Sequence, residues 1–253
     1  MNEHARLPQL VAHRGNAADF PENTLPALES AVSLGVRHVE FDVQLTRDGT
    51  PVMLHDADLR RVGDRAESVH DLDWPDLARC VVGERSRFGD RFQQVRPASL
   101  AQVVEALAGW PDVTAFVEIK RASLRRFGPD AVLRPVQAQL ERVLDRCVCI
   151  SFDAACIEAM RRANGMRVGW VIERYDEATR RQAESMRPDF MFGDVDDLAP
   201  DQRALWPGAW QWAIYEVREV DTARRCGQLG ADFVETMAVR DMVQAYARAG
   251  EAR

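Results

Sequence analysis

No stretch of the sequence approaches the ~20 consecutive apolar residues that a membrane-spanning helix needs. The segment Met1 to Leu10 is charged and has no apolar core, so it does not read as a secretory signal, and a cytoplasmic location is expected. Cysteine is scarce. Cys80, Cys147, Cys149, Cys156 and Cys226 are odd in number and contain no Cys-x-x-Cys pair, so neither a disulfide framework nor a thiolate metal site is expected. Cys147 and Cys149 share a face of a short apolar run and read as small buried hydrophobes. Basic charge is not in excess: 33 Lys and Arg stand against 40 Asp and Glu, for a net charge of −7. The Arg pairs, Arg60-Arg61 among them, are spread along the chain and read as solvated helix faces, so no nucleic-acid partner is expected. Nothing in the sequence bears on oligomeric state.

What is present is an alternation. Eight short apolar runs read as strands: Leu10–His13, His38–Asp42, Thr114–Ile119, Cys147–Phe152, Val168–Ile172, Phe190–Phe192, Trp210–Tyr215 and Phe233–Thr236. Helical patterns lie between them. Thr24, Ser99 with Gln102, Asp153 and Asp176 are suited to cap helices, and Gly35 and Gly165 to follow their ends. Eight βα units without a linker predict a closed (β/α)₈ barrel, one domain over residues 1–253. The rhythm breaks once. Residues 56–97 are too long for an ordinary βα loop and read either as a small cap over the site or as a structural insertion.

Strand alternation puts Glu40 and Asp42 on one face, and Glu118 and Lys120 on one face of the next barrel strand. A barrel gathers strand ends at one rim, so Glu40, Asp42 and Glu118 are expected to converge. Three converging carboxylates repel, and an oxygen-only set predicts one divalent cation, Mg²⁺ or Ca²⁺. His13 and His55 flank the cluster and suit proton transfer near neutral pH. Arg14 and Lys120 add fixed charge for an anionic substrate, a combination that phosphodiester hydrolysis requires. Of Trp210 and Trp212, one is expected to line the pocket, and Trp212 is taken as that substrate contact. Glu22 is open to two readings, a loop residue bonded to backbone or a further metal ligand. His38 reads as barrel core, and His4 and His70 as surface.

The run His13-Arg14-Gly15, Pro21-Glu22-Asn23-Thr24, Glu40-x-Asp42, Thr46-x-Asp48-Gly49, His55-Asp56 and Glu118-Ile119-Lys120 resembles the glycerophosphodiester phosphodiesterase family. The likeness is concentrated in the first sixty residues and the third barrel strand, with weaker echoes at Ser151-Phe152-Asp153 and Pro97-Ala98-Ser99-Leu100. The resemblance implies His13 and His55 as acid and base, Glu40, Asp42 and Glu118 as metal ligands, Arg14 on the phosphate, and Lys120 beside it. It implies a small-molecule glycerophosphodiester as substrate, cleaved to glycerol 3-phosphate and an alcohol through attack by the free glycerol hydroxyl. Two late segments depart from the family's pattern. Tyr215 stands where a small polar residue is usual and Met237 where an acid is usual, changes expected to alter the alcohol or glycerol pocket. Alternatives are a lysophospholipase D-like or cyclising phosphodiesterase on a lipid-derived substrate, or a non-catalytic binding protein. The charged 56–97 segment counts against a lipid surface.

Overall fold

A computed structural model describes residues 7–251; His4 lies outside that range. Ten strands follow in chain order: β1 (Gln9–Ala12), β2 (His38–Leu45), β3 (Pro51–Met53), β4 (Ala98–Ser99), β5 (Thr114–Ile119), β6 (Cys147–Ser151), β7 (Arg167–Val171), β8 (Phe190–Asp194), β9 (Gln211–Tyr215) and β10 (Phe233–Thr236). Eight pair in parallel in the order β1-β10-β9-β8-β7-β6-β5-β2, and β2 pairs back onto β1 to close the ring. The expected barrel is therefore present. β3 and β4 extend the sheet antiparallel from the end of β2, joined through a turn at Asp48 and Gly49. β2 runs to Leu45, beyond the expected Asp42, because its last residues pair with β3 rather than with a barrel neighbour. Among the described residues, no helix is long and apolar enough to cross a membrane.

The helices start where polar side chains can satisfy free N–H groups. Thr24 caps the helix Leu25–Ser33, and Ser99 and Gln102 form a reciprocal capping box on Leu100–Ala108. Asp153 and Asp176 accept from Cys156 and Thr179 at the starts of Ala154–Asn164 and Glu177–Met186.

Alternation along each strand makes two cores. Outward residues, such as Val39 and Phe41 of β2 and Trp212 of β9, pack against the helices. Inward residues fill the barrel with aromatic rings. Phe116 stands edge-on to Phe190 at 5.2 Å, to Phe192 at 5.3 Å and to Phe233 at 6.0 Å. His38 completes this plug edge-on to Phe233 and bonds Gln9 at 2.9 Å, as barrel core. The plug matters for the site. Two residues further along the same strands and the same face come Glu118 after Phe116, Glu40 after His38 and Glu235 after Phe233. The carboxylates sit on an apolar floor that denies them water.

Residues 56–97 form short helices and loops around a small core of Leu59, Val62, Leu77 and Val82. His70, expected at the surface, is 6 % exposed. Its Nε2 lies 3.2 Å from both Gln44 Oε1 and Ser123 Oγ, and its ring stands edge-on to Phe127. It is a dowel between this segment and the barrel.

Candidate active site

Three carboxylates meet above the aromatic plug. Glu40, Asp42 and Glu118 each offer an oxygen within 4.8 Å of the others, and all three are buried. Parallel pairing sets Asp42 beside Glu118 on adjacent strands. Glu40 Oε1 has no hydrogen-bond partner, and Oε2 accepts only from the backbone N–H of Arg14, at 2.9 Å. Burial, then Asp42 and the other carboxylates around it, pushes the Glu40 carboxyl well above its ordinary range. Glu118 is pushed up to about 7 by burial and Asp42, against the pull of Lys120. Asp42 goes the other way. Burial opposes its charge, but Lys120 at 3.1 Å and Arg14 at 3.4 Å outweigh that and hold it below the usual range. Asn23 fixes it further, donating to Oδ2 at 2.7 Å and accepting from the Asp42 N–H at 2.9 Å.

His13 and Arg14 follow β1. Arg14 has a left-handed backbone (φ 56°), and Gly15 follows at φ 79°. A Cβ on Gly15 would come within 2.6 Å of the Ala27 backbone, so only glycine fits between this turn and the helix behind it. His13 Nε2 lies 3.9 Å from Glu40 Oε2, and Nδ1 3.7 Å from Glu216 Oε1. Burial and then Arg14 push His13 down to about 3, which keeps it neutral. His55 follows β3, and its Nδ1 bonds Asp56 at 2.7 Å. Lys120 bonds Glu118 at 2.8 Å as well as Asp42.

These groups border one cavity of about 170 Å³ at the C-terminal ends of the strands. His13, Arg14, His55, Glu118 and Lys120 line it, with Phe152, Phe192, Asp194, Tyr215, Glu216 and Glu235 completing the wall. Trp212 does not reach it. Its side chain points outward, where Nε1 donates to the Trp206 carbonyl at 2.9 Å and the ring packs against Tyr175 and Trp206. The alternation of β9 gives the cavity Tyr215 instead, three residues on and on the opposite face.

Glu22 takes neither expected role. It receives Arg14 at 3.0 Å and Arg61 at 2.6 and 2.8 Å, and these cations overcome its burial to keep it ionised. Its backbone N–H donates to Glu84 Oε1 at 2.6 Å. Arg61 also bonds Asp56 at 2.8 Å, so half of the Arg60-Arg61 pair belongs to the site, not to a solvated face. Glu235 escaped the sequence reading too. Its signal was the one that marks Glu118, a lone acid ending an apolar strand on the inward face.

Residues 13–237 match the Glycerophosphoryl diester phosphodiesterase family. The chain belongs to that family. Its members are phosphoric diester hydrolases, and the carboxylates, histidines and cations described above all fall within the matched span. The glycerophosphodiester phosphodiesterase of Caldanaerobacter subterraneus subsp. tengcongensis is 27% identical over 225 residues, covering 86% of this chain and 90% of that protein. Glycerophosphodiester phosphodiesterase 1 of Bos taurus is 28% identical over 65% of this chain, a span that is 48% of the bovine protein. The barrel also superposes on solved structures. An Oleispira antarctica phosphodiesterase in complex with the product sn-glycerol-3-phosphate gives a TM-score of 0.81 at 21% identity, over 95% of this chain and 97% of that one. A glycerophosphodiester phosphodiesterase from Thermotoga maritima gives 0.71 at 22%, over 96% and 100%.

Proposed function

We propose that the chain, as a single catalytic domain, hydrolyses glycerophosphodiesters to sn-glycerol 3-phosphate and an alcohol with the help of one divalent cation, Mg²⁺ or Ca²⁺. The observation that carries this reading is the meeting of Glu40, Asp42 and Glu118 under a cavity that also holds two histidines and two fixed cations. The donor set is oxygen only, which suits a hard cation. The partnerless Glu40 Oε1 and the raised Glu40 and Glu118 carboxyls mark negative charge that such a cation would relieve. When bound there, it supplies Lewis-acid stabilisation of the charge on the phosphoryl oxygens.

The residues of the chain do the rest. Arg14 and Lys120 attract and orient the anionic diester. His13, held neutral, accepts the proton of the attacking glycerol hydroxyl. His55, whose Nδ1 is engaged by Asp56, presents Nε2 and donates a proton to the leaving oxygen. As the new P–O bond forms, the bond to the alcohol breaks and the alcohol leaves neutral. Water opens the cyclic phosphate with the roles reversed: His55 takes the proton of water and His13 returns its own to the glycerol oxygen.

The test is release of glycerol 3-phosphate from glycerophosphoethanolamine with Mg²⁺, with Ca²⁺ and with EDTA, for the wild-type chain, His13→Ala and Glu118→Gln. Metal-dependent release, lost in both variants, is expected. Folded wild-type protein that releases nothing under either metal would overturn the reading, and accumulation of the cyclic phosphate would replace hydrolysis with cyclisation.

A further inference from the structure

The cavity is polarised. Among the described residues, the Lys and Arg that line it are Lys120 and Arg14 alone, at the ends of β5 and β1, on the arc that also carries β2. The arc from β8 to β10 contributes Asp194, Tyr215, Glu216 and Glu235 and no cation. β8 is four steps from β2 by either route round the ring, through β5, β6 and β7 or through β1, β10 and β9. Asp194 therefore stands across the mouth from the strand that holds Glu40 and Asp42.

The acids of this arc are not equivalent. Glu216 has one cation for company, Arg218 at 2.9 Å, while the neutral His13 ring lies 3.7 Å away. Among the described residues, no Lys, Arg or His lies within ion-pair distance of Asp194 or Glu235; the single hydrogen bond to the Asp194 carboxylate comes from the Asp196 N–H, at 3.0 Å. Glu235 is 3 % exposed, lines the cavity, and leaves Oε1 with no hydrogen bond at all. A buried carboxylate oxygen without a donor is costly, so its presence in a cavity wall points to a donor that arrives with the ligand. Among the described residues it lies outside the group of Glu40, Asp42 and Glu118, whose oxygens come within 4.8 Å of one another. Tyr215, on the strand between β8 and β10, sets an aromatic ring in the same wall. Burial and the nearby Asp196, Asp197 and Glu216 push the Asp194 carboxyl above its ordinary range, a strain that an entering positive charge reverses.

We propose that Asp194, Tyr215 and Glu235 form a subsite for a cationic arm of the substrate, so that the chain selects glycerophosphodiesters whose alcohol carries an ammonium group. The inference rests on the phosphodiesterase reading above. The substrate is then a dipole matched to a dipolar cavity, with its phosphoryl anion against Arg14 and Lys120 and its ammonium toward the β8–β10 arc, where Asp194 stands across from β2 and Glu235 lies nearer to β1. A polyol arm would offer hydroxyl donors to the same oxygens but would leave both negative charges uncompensated.

The test compares kcat/KM for glycerophosphocholine, glycerophosphoethanolamine and the neutral-armed glycerophosphoglycerol in the wild-type chain, Asp194→Asn and Glu235→Gln. Both substitutions keep the shape and remove the charge. The wild-type chain is expected to favour glycerophosphoethanolamine, whose ammonium both carries charge and donates, over glycerophosphoglycerol by on the order of tenfold, and each variant to bring that ratio down several-fold. A wild-type ratio near one, or variants that slow all three diesters in equal proportion, would overturn the subsite and leave the phosphodiesterase reading intact. Turnover of none of the three would instead overturn that reading. Titration of ethanolamine alone, whose primary ammonium both carries charge and donates, then decides the subsite separately: binding weakened in Asp194→Asn supports it, and no binding, or equal binding, overturns it.

Discussion

The guanidinium of Arg61 grips both carboxylate oxygens of Glu22, at 2.6 and 2.8 Å. The same group reaches Asp56, which holds His55, while Glu22 also holds Arg14. One side chain from the 56–97 segment thus orients a proposed proton donor and a proposed phosphate contact. Arg61→Lys loses the two-pronged geometry. We expect kcat to fall by about 10- to 100-fold with an unchanged circular dichroism spectrum. A variant with full kcat would show the contact to be ornamental.

Asp56→Asn probes His55 directly. Burial lowers the pKa of His55, and the Asp56 hydrogen bond works against that loss. Removing the carboxylate moves the pKa further down. If His55 enters the reaction protonated, the alkaline limb of the kcat/KM profile shifts to lower pH, by about one unit. A profile that stays in place would remove His55 from the role of acid.

The carboxylate trio ties stability to both pH and metal. Glu118 is raised to about 7 from an ordinary 4.5, so between those values the folded chain binds more protons than the unfolded one. The contribution of Glu118 to metal-free stability therefore falls as pH rises through that window. In EDTA at pH 7, Glu118→Gln should melt higher than the wild-type chain, by roughly 1–3 kcal/mol of stability. Added Mg²⁺ or Ca²⁺ should raise the melting temperature of the wild-type chain and not of the variant. Calorimetric scans with and without metal read both effects.

His70 carries the opposite sign. Burial, then Arg126, lowers its pKa below the ordinary 6.5, with Asp71 opposing. The unfolded chain takes up the proton first as pH falls, so the His70 contribution is lost from about pH 6.5 downward. Proteolysis of residues 56–97 should accelerate between pH 7 and pH 5 in the wild-type chain and change less in His70→Gln. Equal acceleration in both would acquit His70.

Gly15→Ala forces a side chain into a left-handed turn and against the Ala27 backbone. A cost of about 1–3 kcal/mol is expected, along with a loss of kcat because the displaced neighbours are His13 and Arg14. Thermal melts and turnover on one sample check the pair of effects.

The barrel was legible because each strand carries its own period and each cap its own polar residue. Ser99 with Gln102 announces a helix start whatever surrounds it. The meeting of Glu40, Asp42 and Glu118 was legible because barrel topology fixes which strand ends adjoin. What escaped depends on contacts distant in sequence. Arg61 resembles any helix-face arginine until Glu22 is seen opposite it. The sequence alone allows Trp212 to line the cavity, whereas Ala213 and Tyr215 of the same strand face inward and Trp212 faces the helices. Only the register of β9 against β8 and β10 decides which face is which. His70 looked exposed within a charged segment, since nothing local reveals Gln44 and Ser123 waiting for it.

Residues 56–97 differ from an ordinary loop insertion in one respect: Glu84 and Arg61 both reach back to residue 22. Such a segment is not a cartridge. A chimera that transplants it from a relative would cut the anchors of His55 and Arg14. The fold of this segment and the posture of the site are thus inherited together in this chain, and any loop graft must carry residues 22, 56, 61 and 84 as a set.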